Sequence, residues 1–484
     1  MMRKDLQRIL VKGGVLSPSE LKRIIEMAAS FGLESLHFGS RQDIVLPEAV
    51  DQQARESQFE SIDLEYISER KYQNIVSSYV SANIFPSTRW LSGATYLYIL
   101  ERFSYNPKLQ INITDPKQQL VPLFTGQLNF IASNEEDYWY LYLRLPNWDT
   151  MQRYPVLIYT WDVAKVAKTI ESVYAEVETV SELFEEVNNE MDSNNRTISE
   201  PLNVPFNAFP YYEGMNKMGI DKYWLGLYWR NNLYDVKFLK AMCDLCLSCR
   251  IGKICLTPWK SLIVKGIGKE YKLAWEKLLG RFGINVRHSS LELNWHLPLA
   301  DDAALDLKRF IVRNFDQNDI STYGLTFAIK SDYSVNFTSI VIEPNPVPTI
   351  VKNFQIRPTY NVLYCKNFNP NQLDYITYAQ DVDRIELPGL LMELSQLYFE
   401  QLGEHEEETT KLGAETNAKE NLAVSMHQCP SCLWVYDERF GDAHNDIPKG
   451  LVFEKLPVDY CCPVCETPKG AFLKVDRPAV LKNS

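Results

Sequence analysis

The chain is 484 residues long, with 45% hydrophobic and 12% aromatic residues, which is material for about three packed domains and too apolar for a disordered chain. Its 50 Lys and Arg against 62 Asp and Glu leave a net charge of -12, which disfavours general binding to a phosphate backbone. No run of about 18 apolar residues occurs, which excludes a membrane-spanning helix, and Met1-Met2-Arg3-Lys4-Asp5 leads into no apolar segment of the secretory kind. The expectation is a cytoplasmic protein with neither a nucleic-acid nor a membrane partner.

Gly13-Gly14 makes a turn, and Ser17-Pro18-Ser19-Glu20 opens a helix with a capping box and Pro at its first position. Leu21, Ile24, Ile25 and Ala28 recur at helical spacing, and Gly32 suits the stop. Leu36-His37-Phe38 and Ile44-Val45-Leu46 then read as short strands about the turn Gly39-Ser40-Arg41-Gln42. Strand-rich segments follow at Leu109–Ile113, Leu128–Ala132 and Tyr138–Leu145, with a helical piece over Trp161–Val180.

A second copy of the opening unit begins near Trp224. A helix is expected from Asp235 to Leu247, and Gly252–Val264 aligns without a gap on Glu34–Leu46. The two stretches lie so far apart in the chain that the repeat means duplicated domains rather than a solenoid. Further strands are expected at Thr326–Lys330 and Val335–Ile342, a helix at Leu305–Asn314, and a short helix near Leu390–Leu402. Gly403–Asn421, dense in Glu, Lys, Thr and Ala, reads as a flexible tether.

After the tether the chain becomes rich in Cys, Pro and aromatics. Cys429-Pro430-Ser431-Cys432 and Cys462-Pro463-Val464-Cys465 are two Cys-x-x-Cys hooks, which place four thiolates around one zinc or iron and stabilise a segment too small for a large core. Spacing alone leaves both metals open. The residues around the hooks are Trp434-Val435-Tyr436-Asp437, Gly441-Asp442, Ile447-Pro448-Lys449-Gly450, Phe453 to Pro457, Asp459-Tyr460 and Lys469 with Phe472. In order and spacing they resemble rubredoxin. The resemblance implies one mononuclear iron on Cys429, Cys432, Cys462 and Cys465, with Trp434, Tyr436, Phe453, Tyr460 and Phe472 as its small core. It gives Cys461 no ligand role. Leu433 and Glu466 stand where most rubredoxins carry Gly.

The rest of the chain carries a resemblance as well. Gly13-Gly14 with Leu16-Ser17, Ser40 to Ile44, Tyr72 to Val76, Pro107 to Ile111 and Thr257-Pro258-Trp259-Lys260 resemble, in order and spacing, the sirohaem sulfite and nitrite reductases. The fold class implied is α+β, a duplicated reductase-like body followed by a small metal-stabilised rubredoxin-like β domain. The expected domains are a first ferredoxin-like half domain at 1–66, a first reductase-like domain at 67–216, a second half domain at 217–286, a second reductase-like domain at 287–385, a helix and acidic linker at 386–425, and the rubredoxin-like domain at 426–476. By the resemblance, Arg41 touches a sirohaem carboxylate and Lys108 matches a lysine of the anion site. The family's other cations are replaced by Gln73, Leu10 and Gln110. Its four cluster cysteines are missing from Ser289–Ala300 and Thr326–Thr338, so the coupled 4Fe–4S cluster cannot be built at its usual place.

Cys243, Cys246, Cys249 and Cys255 are a weaker cluster candidate, since Cys243 and Cys246 share the apolar face of a helix, where thiols pack as small hydrophobes. His37, His288 and His296 read as structural residues, and His405, His427 and His444 as solvated ones. The function expected is one-electron transfer between a reduced donor, itself a reductase or ferredoxin-like protein, and an acceptor enzyme of nitrite or sulfite assimilation. Three alternatives stay open: a sirohaem-dependent reductase with an internal donor, a sirohaem carrier, and a scaffold that binds no tetrapyrrole and only docks.

Overall fold

The structure is a computed structural model of the chain, and it describes residues 6–475 apart from 55, 70, 205, 331–334, 347–356, 417–425, 433, 439, 443–444 and 446. The chain divides into two compact units, Met1–Met215 with Trp224–Glu400, and Asn216–Tyr223 with Gln401–Ser484.

In the larger unit the capping box forms as the sequence predicts. Ser17 Oγ accepts from the Glu20 amide at 3.1 Å, and Glu20 Oε2 accepts from the Ser17 amide at 2.6 Å. Helix Pro18–Ser30 buries Leu21, Ile24, Ile25 and Ala28. Its counterpart, Val236–Ser248, is capped by Asp235, whose Oδ1 accepts from the Phe238 amide at 2.6 Å. In the register that sets Glu34 on Gly252, Ser17 falls on Asp235, and the two helices pack on each other. Two ion pairs across them obey the same register, Lys22 to Asp244 at 2.6 Å and Lys240 to Glu26 at 3.4 Å. Lys22 matches Lys240 and Glu26 matches Asp244, so each copy offers the other one cation and one anion.

The two repeated segments, hereafter the two copies or half domains of the repeat, also exchange strands. Val15–Leu16 pairs with Ile254–Leu256, placing Leu16 opposite Ile254, while Tyr234–Asp235 pairs with Ser35–Phe38, placing Tyr234 opposite Leu36. Each half domain lends the strand that precedes its helix to the other's sheet. One resulting sheet runs Tyr234–Asp235, Ser35–Phe38, Ile44–Val45, Gln7–Ile9, Glu65–Tyr66. The other holds Ser261–Gly268 between Lys222–Tyr228 and Ile254–Leu256.

The larger domains repeat a second pattern. Ile75–Ser77, Ile111–Thr114 and Leu128–Ala132 are parallel neighbours, continued antiparallel by Tyr138–Leu143, Val156–Tyr159 and Asn195–Thr197. Trp295–His296, Phe327–Ile329 and Ile340–Pro344 are likewise parallel, continued antiparallel by Thr359–Cys365 and Tyr375–Asp383. Helices Gly93–Arg102 and Asp302–Gln317 lie between the first and second parallel strands of their sheets. Ile111–Thr114 and Leu128–Ala132 are buried along their whole length, as parallel strands covered on both faces are.

Three segments differ from expectation. The helix expected over Trp161–Val180 is broken: Val163–Val173 ends, and Thr179 starts Val180–Glu190 with its own capping box on Glu182. The strand expected at Val335–Ile342 is Ile340–Pro344. The helix that begins at Leu387 runs on to Thr416, through residues whose composition suggested a tether. Glu, Lys and Ala are good helix formers, so a composition poor in large apolar groups does not by itself argue against a helix.

In the smaller unit Met426–Gln428 is the central strand between Val435–Asp437 and Leu473–Val475, all antiparallel. Its core is Tyr436, Ile447, Phe453, Leu456, Tyr460 and Phe472, with Trp434 partly buried against it.

Candidate metal centre

Two hooks from separated parts of the small unit build the site. Cys429 closes its hook by donating its amide to Trp434 O at 2.7 Å, and Cys462 does the same to Thr467 O at 2.8 Å. The backbone amides then turn inward. Those of Ser431 and Cys432 hydrogen-bond Cys429 Sγ, and those of Val464 and Cys465 hydrogen-bond Cys462 Sγ. The Trp434 amide serves Cys432 and the Thr467 amide serves Cys465. Such donors favour the thiolate over the thiol.

The four sulfurs all lie within 4.8 Å of one another, with Cys429 to Cys465 and Cys432 to Cys462 both at 3.4 Å. A tetrahedron of metal–sulfur bonds of about 2.3 Å has edges of about 3.8 Å, so the quartet fits one tetrahedral ion. It is the one such group among the described residues. Cys461 is outside it and directs its thiol to Asp459 O at 3.4 Å. Cys429 and Cys462 are buried, Cys432 is intermediate and Cys465 is exposed, so the site has a closed side and an open side. Burial pushes the Cys462 thiol up to about 12, whereas the Thr467 hydroxyl and amide hold the Cys465 thiol below its ordinary value. Metal binding therefore displaces the proton of Cys462, whereas hydrogen bonds from Thr467, Cys432 and Ser431 hold the Cys429 thiol down at about 6.

Glu466 adopts φ 61°, the left-handed conformation that costs a non-glycine residue about 1–2 kcal/mol. Leu433 lies outside the described residues. His427 is 7% exposed and stacks on Phe453 with ring centroids 3.9 Å apart, which corrects the expectation that it is solvated: the central strand turns its side chain into the core. His444 lies outside the described residues.

Of the body's two candidate residues, Arg41 is engaged by neighbouring segments and Lys108 is exposed. Arg41 Nη1 donates to Asn112 Oδ1 at 2.8 Å, and its Nη2 to Asn74 O at 2.8 Å and Ile111 O at 3.0 Å. Burial lowers its pKa to about 10. Lys108 is exposed, three residues before strand Ile111–Thr114, and its amide donates to Glu171 Oε1 at 2.6 Å. Arg41 and Lys108 thus stand at the same strand without a direct contact between them. A crevice of the body, lined among others by Gln118, Pro122, Phe209, Trp259, Thr326 and Phe337, has a cavity volume of about 30 Å³. That admits about two waters. Aromatic packing fills the segments where the cluster cysteines were expected. Trp295 stacks on Phe327 at 4.8 Å and His296 meets Phe337 at 4.5 Å.

Cys243 and Cys246 are buried in helix Val236–Ser248, and Cys255 is buried in strand Ile254–Leu256. Burial pushes the Cys243 thiol up to about 12, the behaviour of a packed hydrophobe. His37 Nδ1 lies 2.8 Å from Asn232 O, and His288 Nδ1 lies 2.8 Å from Glu213 Oε1. The sequence reading missed two hydroxyls at the metal centre: Thr467 Oγ1 is 3.0 Å from Cys465 Sγ and 2.9 Å from Ser431 Oγ. Their positions beside the hook cysteines were the available signal. No helix among the described residues is long and apolar enough to cross a membrane.

Residues 426–472 match the family model described as Rubredoxin. The Probable Rubredoxin-2 of Methanocaldococcus jannaschii is 44% identical over 55 residues, which is 11% of this chain and 98% of that protein. The Rubredoxin of Trichormus variabilis is 38% identical over 58 residues, 12% of this chain and 52% of that protein. Among solved structures, that of the Mycobacterium tuberculosis NirA protein superposes with a TM-score of 0.62 at 14% identity, covering 80% of this chain and 79% of that one. That likeness is one of fold.

Proposed function

This chain belongs to the rubredoxin family through residues 426–472, and on that premise we propose that it carries electrons to a sirohaem nitrite or sulfite reductase that its body docks. The four-cysteine site is that of an iron-binding one-electron carrier. A single iron held there supplies ferric–ferrous exchange with little rearrangement. The protein's part is to fix four sulfurs on amide donors, to close the Cys429 and Cys462 side from water, and to leave Cys465 at the surface as the edge through which a partner exchanges the electron.

The observation that carries the docking reading is a body with a reductase-like fold whose candidate cofactor arginine is held by its own chain. The Arg41 guanidinium is engaged through Nη1 and Nη2 by Asn112, Asn74 and Ile111, its Nε being buried without a partner, and the crevice has room for about two waters. These features favour a docking element over a reductase or a sirohaem carrier, the two readings in which Arg41 and Lys108 would hold a tetrapyrrole edge. The resemblance of the body's motifs to sirohaem nitrite and sulfite reductases, with the likeness of its fold to the NirA protein, is the reason to place the acceptor in nitrite or sulfite assimilation.

The test is reoxidation of the photochemically reduced full chain by an assimilatory nitrite or sulfite reductase supplied with its substrate. One of the two reductases should accelerate reoxidation of the iron band. A rate unchanged by both would refute the docking reading.

A further inference from the structure

We infer that the hydroxyl pair Ser431–Thr467 sets the reduction potential of the metal centre through Cys465. This rests on the reading of the site as an iron carrier. Thr467 Oγ1 lies 3.0 Å from Cys465 Sγ and donates to Ser431 Oγ at 2.9 Å. A metal-bound cysteine is a thiolate, with lone pairs and no proton to give. Hydroxyl protons rotate to suit their acceptors, so with a metal bound the Thr467 hydroxyl donates to Cys465. Its oxygen is then free to accept from Ser431. The chain of donors runs from Ser431 to Thr467 to Cys465, and each bond polarises the next in the same sense.

The arrangement links the two hooks. Ser431 lies inside the first hook, between Cys429 and Cys432, and Thr467 lies two residues beyond the second. The Thr467 hydroxyl also hydrogen-bonds Cys429 Sγ; of its two sulfurs Cys465 is the exposed one, where solvent is otherwise a fluctuating donor. Reduction by one electron adds negative charge shared by the sulfurs. A fixed donor on one of them therefore stabilises the reduced state more than the oxidised one and raises the potential. Thr467 also gives its amide to the same sulfur, so this residue alone supplies Cys465 with two donors. The roles are positional: neither hydroxyl is a ligand, and neither is needed for the electron to move.

The test is spectroelectrochemical titration of the full chain, with iron content measured on every variant. Thr467→Val should keep its iron and shift the ferric–ferrous equilibrium about tenfold toward ferric, which is roughly 59 mV lower for one electron. Thr467→Ser should restore the parent potential. Ser431→Ala should lower the potential by a smaller amount, and should add nothing in the Thr467→Val background. Thr467→Val with full iron and an unchanged or higher potential would overturn the inference. A parent chain with no iron-type band would overturn both the inference and the reading of the centre on which it rests.

Discussion

Lys260 holds in the second half domain the place that Gln42 holds in the first, in the alignment of Gly252–Val264 on Glu34–Leu46. Both close a hairpin in the left-handed conformation, at φ 59° for Gln42 and 56° for Lys260. The hairpins share their closing bond, from the Gly39 amide to Asp43 O and from the Thr257 amide to Ser261 O, each at 2.9 Å. Each side chain bolts its half domain to the first parallel strand of the domain that follows. Gln42 Nε2 donates to Ser77 O at 3.0 Å and its Oε1 accepts from the Ser77 amide at 2.8 Å, while Lys260 Nζ donates to Leu297 O, just past Trp295–His296.

The same position thus carries an amide in one copy and an amine in the other, and the amine has a cost. Burial, helped by repulsion from Lys308 and opposed more weakly by Asp301 and Asp43, lowers Lys260 from 10.5 to about 7. Below about pH 7 the lysine is charged folded and unfolded, and folding bears the full desolvation penalty. Between about pH 7 and 10.5 the unfolded chain binds a proton that the folded chain does not, so this group makes stability rise with pH. Lys260→Gln, which installs the side chain of the other copy, should stabilise the body by roughly 1–3 kcal/mol near about pH 6. Denaturant titrations of variant and parent should show that gain shrinking toward about pH 10. A gain independent of pH would mean that Lys260 is not the titrating group.

Arg41 is a structural bolt by its contacts. Arg41→Ala leaves Asn112 Oδ1, Asn74 O and Ile111 O without their donor, and should cost about 2–4 kcal/mol with no change in iron content. A variant as stable as the parent would show that the guanidinium is free for another task.

Glu466 occupies a position that favours glycine. Glu466→Gly removes the left-handed penalty and should stabilise the smaller unit by about 1 kcal/mol, read as slower iron loss to a chelator. Faster loss would mean that the carboxylate side chain itself supports the centre.

The matched caps give a test of the duplication. Ser17→Ala and Asp235→Ala each remove the acceptor of one helix start, and each should cost about 1 kcal/mol. Because the two helices pack on each other, the double variant should fall short of the sum. Full additivity would show two independent caps.

What the sequence disclosed follows from where the constraints are local. The capping box at Ser17, the turn at Arg41-Gln42 and the two cysteine hooks are set by residues close in the chain, and all three form as read. The match of Gly252–Val264 to Glu34–Leu46 was visible because apolar positions repeat while polar ones drift. Strand exchange was not visible, since Leu16 opposite Ile254 and Tyr234 opposite Leu36 are pairings between copies that no local pattern encodes. His427 was misread for the same reason: a polar residue next to a hook looks solvated until the sheet places it on Phe453. The engagement of Arg41 also depends on segments far from it in sequence, so its residue type alone did not distinguish a cofactor contact from a bolt.

The central claim is that this chain is an iron carrier with a cofactor-free body. Its most direct test is combined iron, zinc, acid-labile sulfide and tetrapyrrole analysis, with an absorption spectrum, on full-length protein made in an iron-replete, sirohaem-competent host. One iron per chain, no labile sulfide, no tetrapyrrole and a rubredoxin-type band that disappears in Cys432→Ser are the predicted result. Sirohaem bands, or stoichiometric zinc in place of iron, would contradict it.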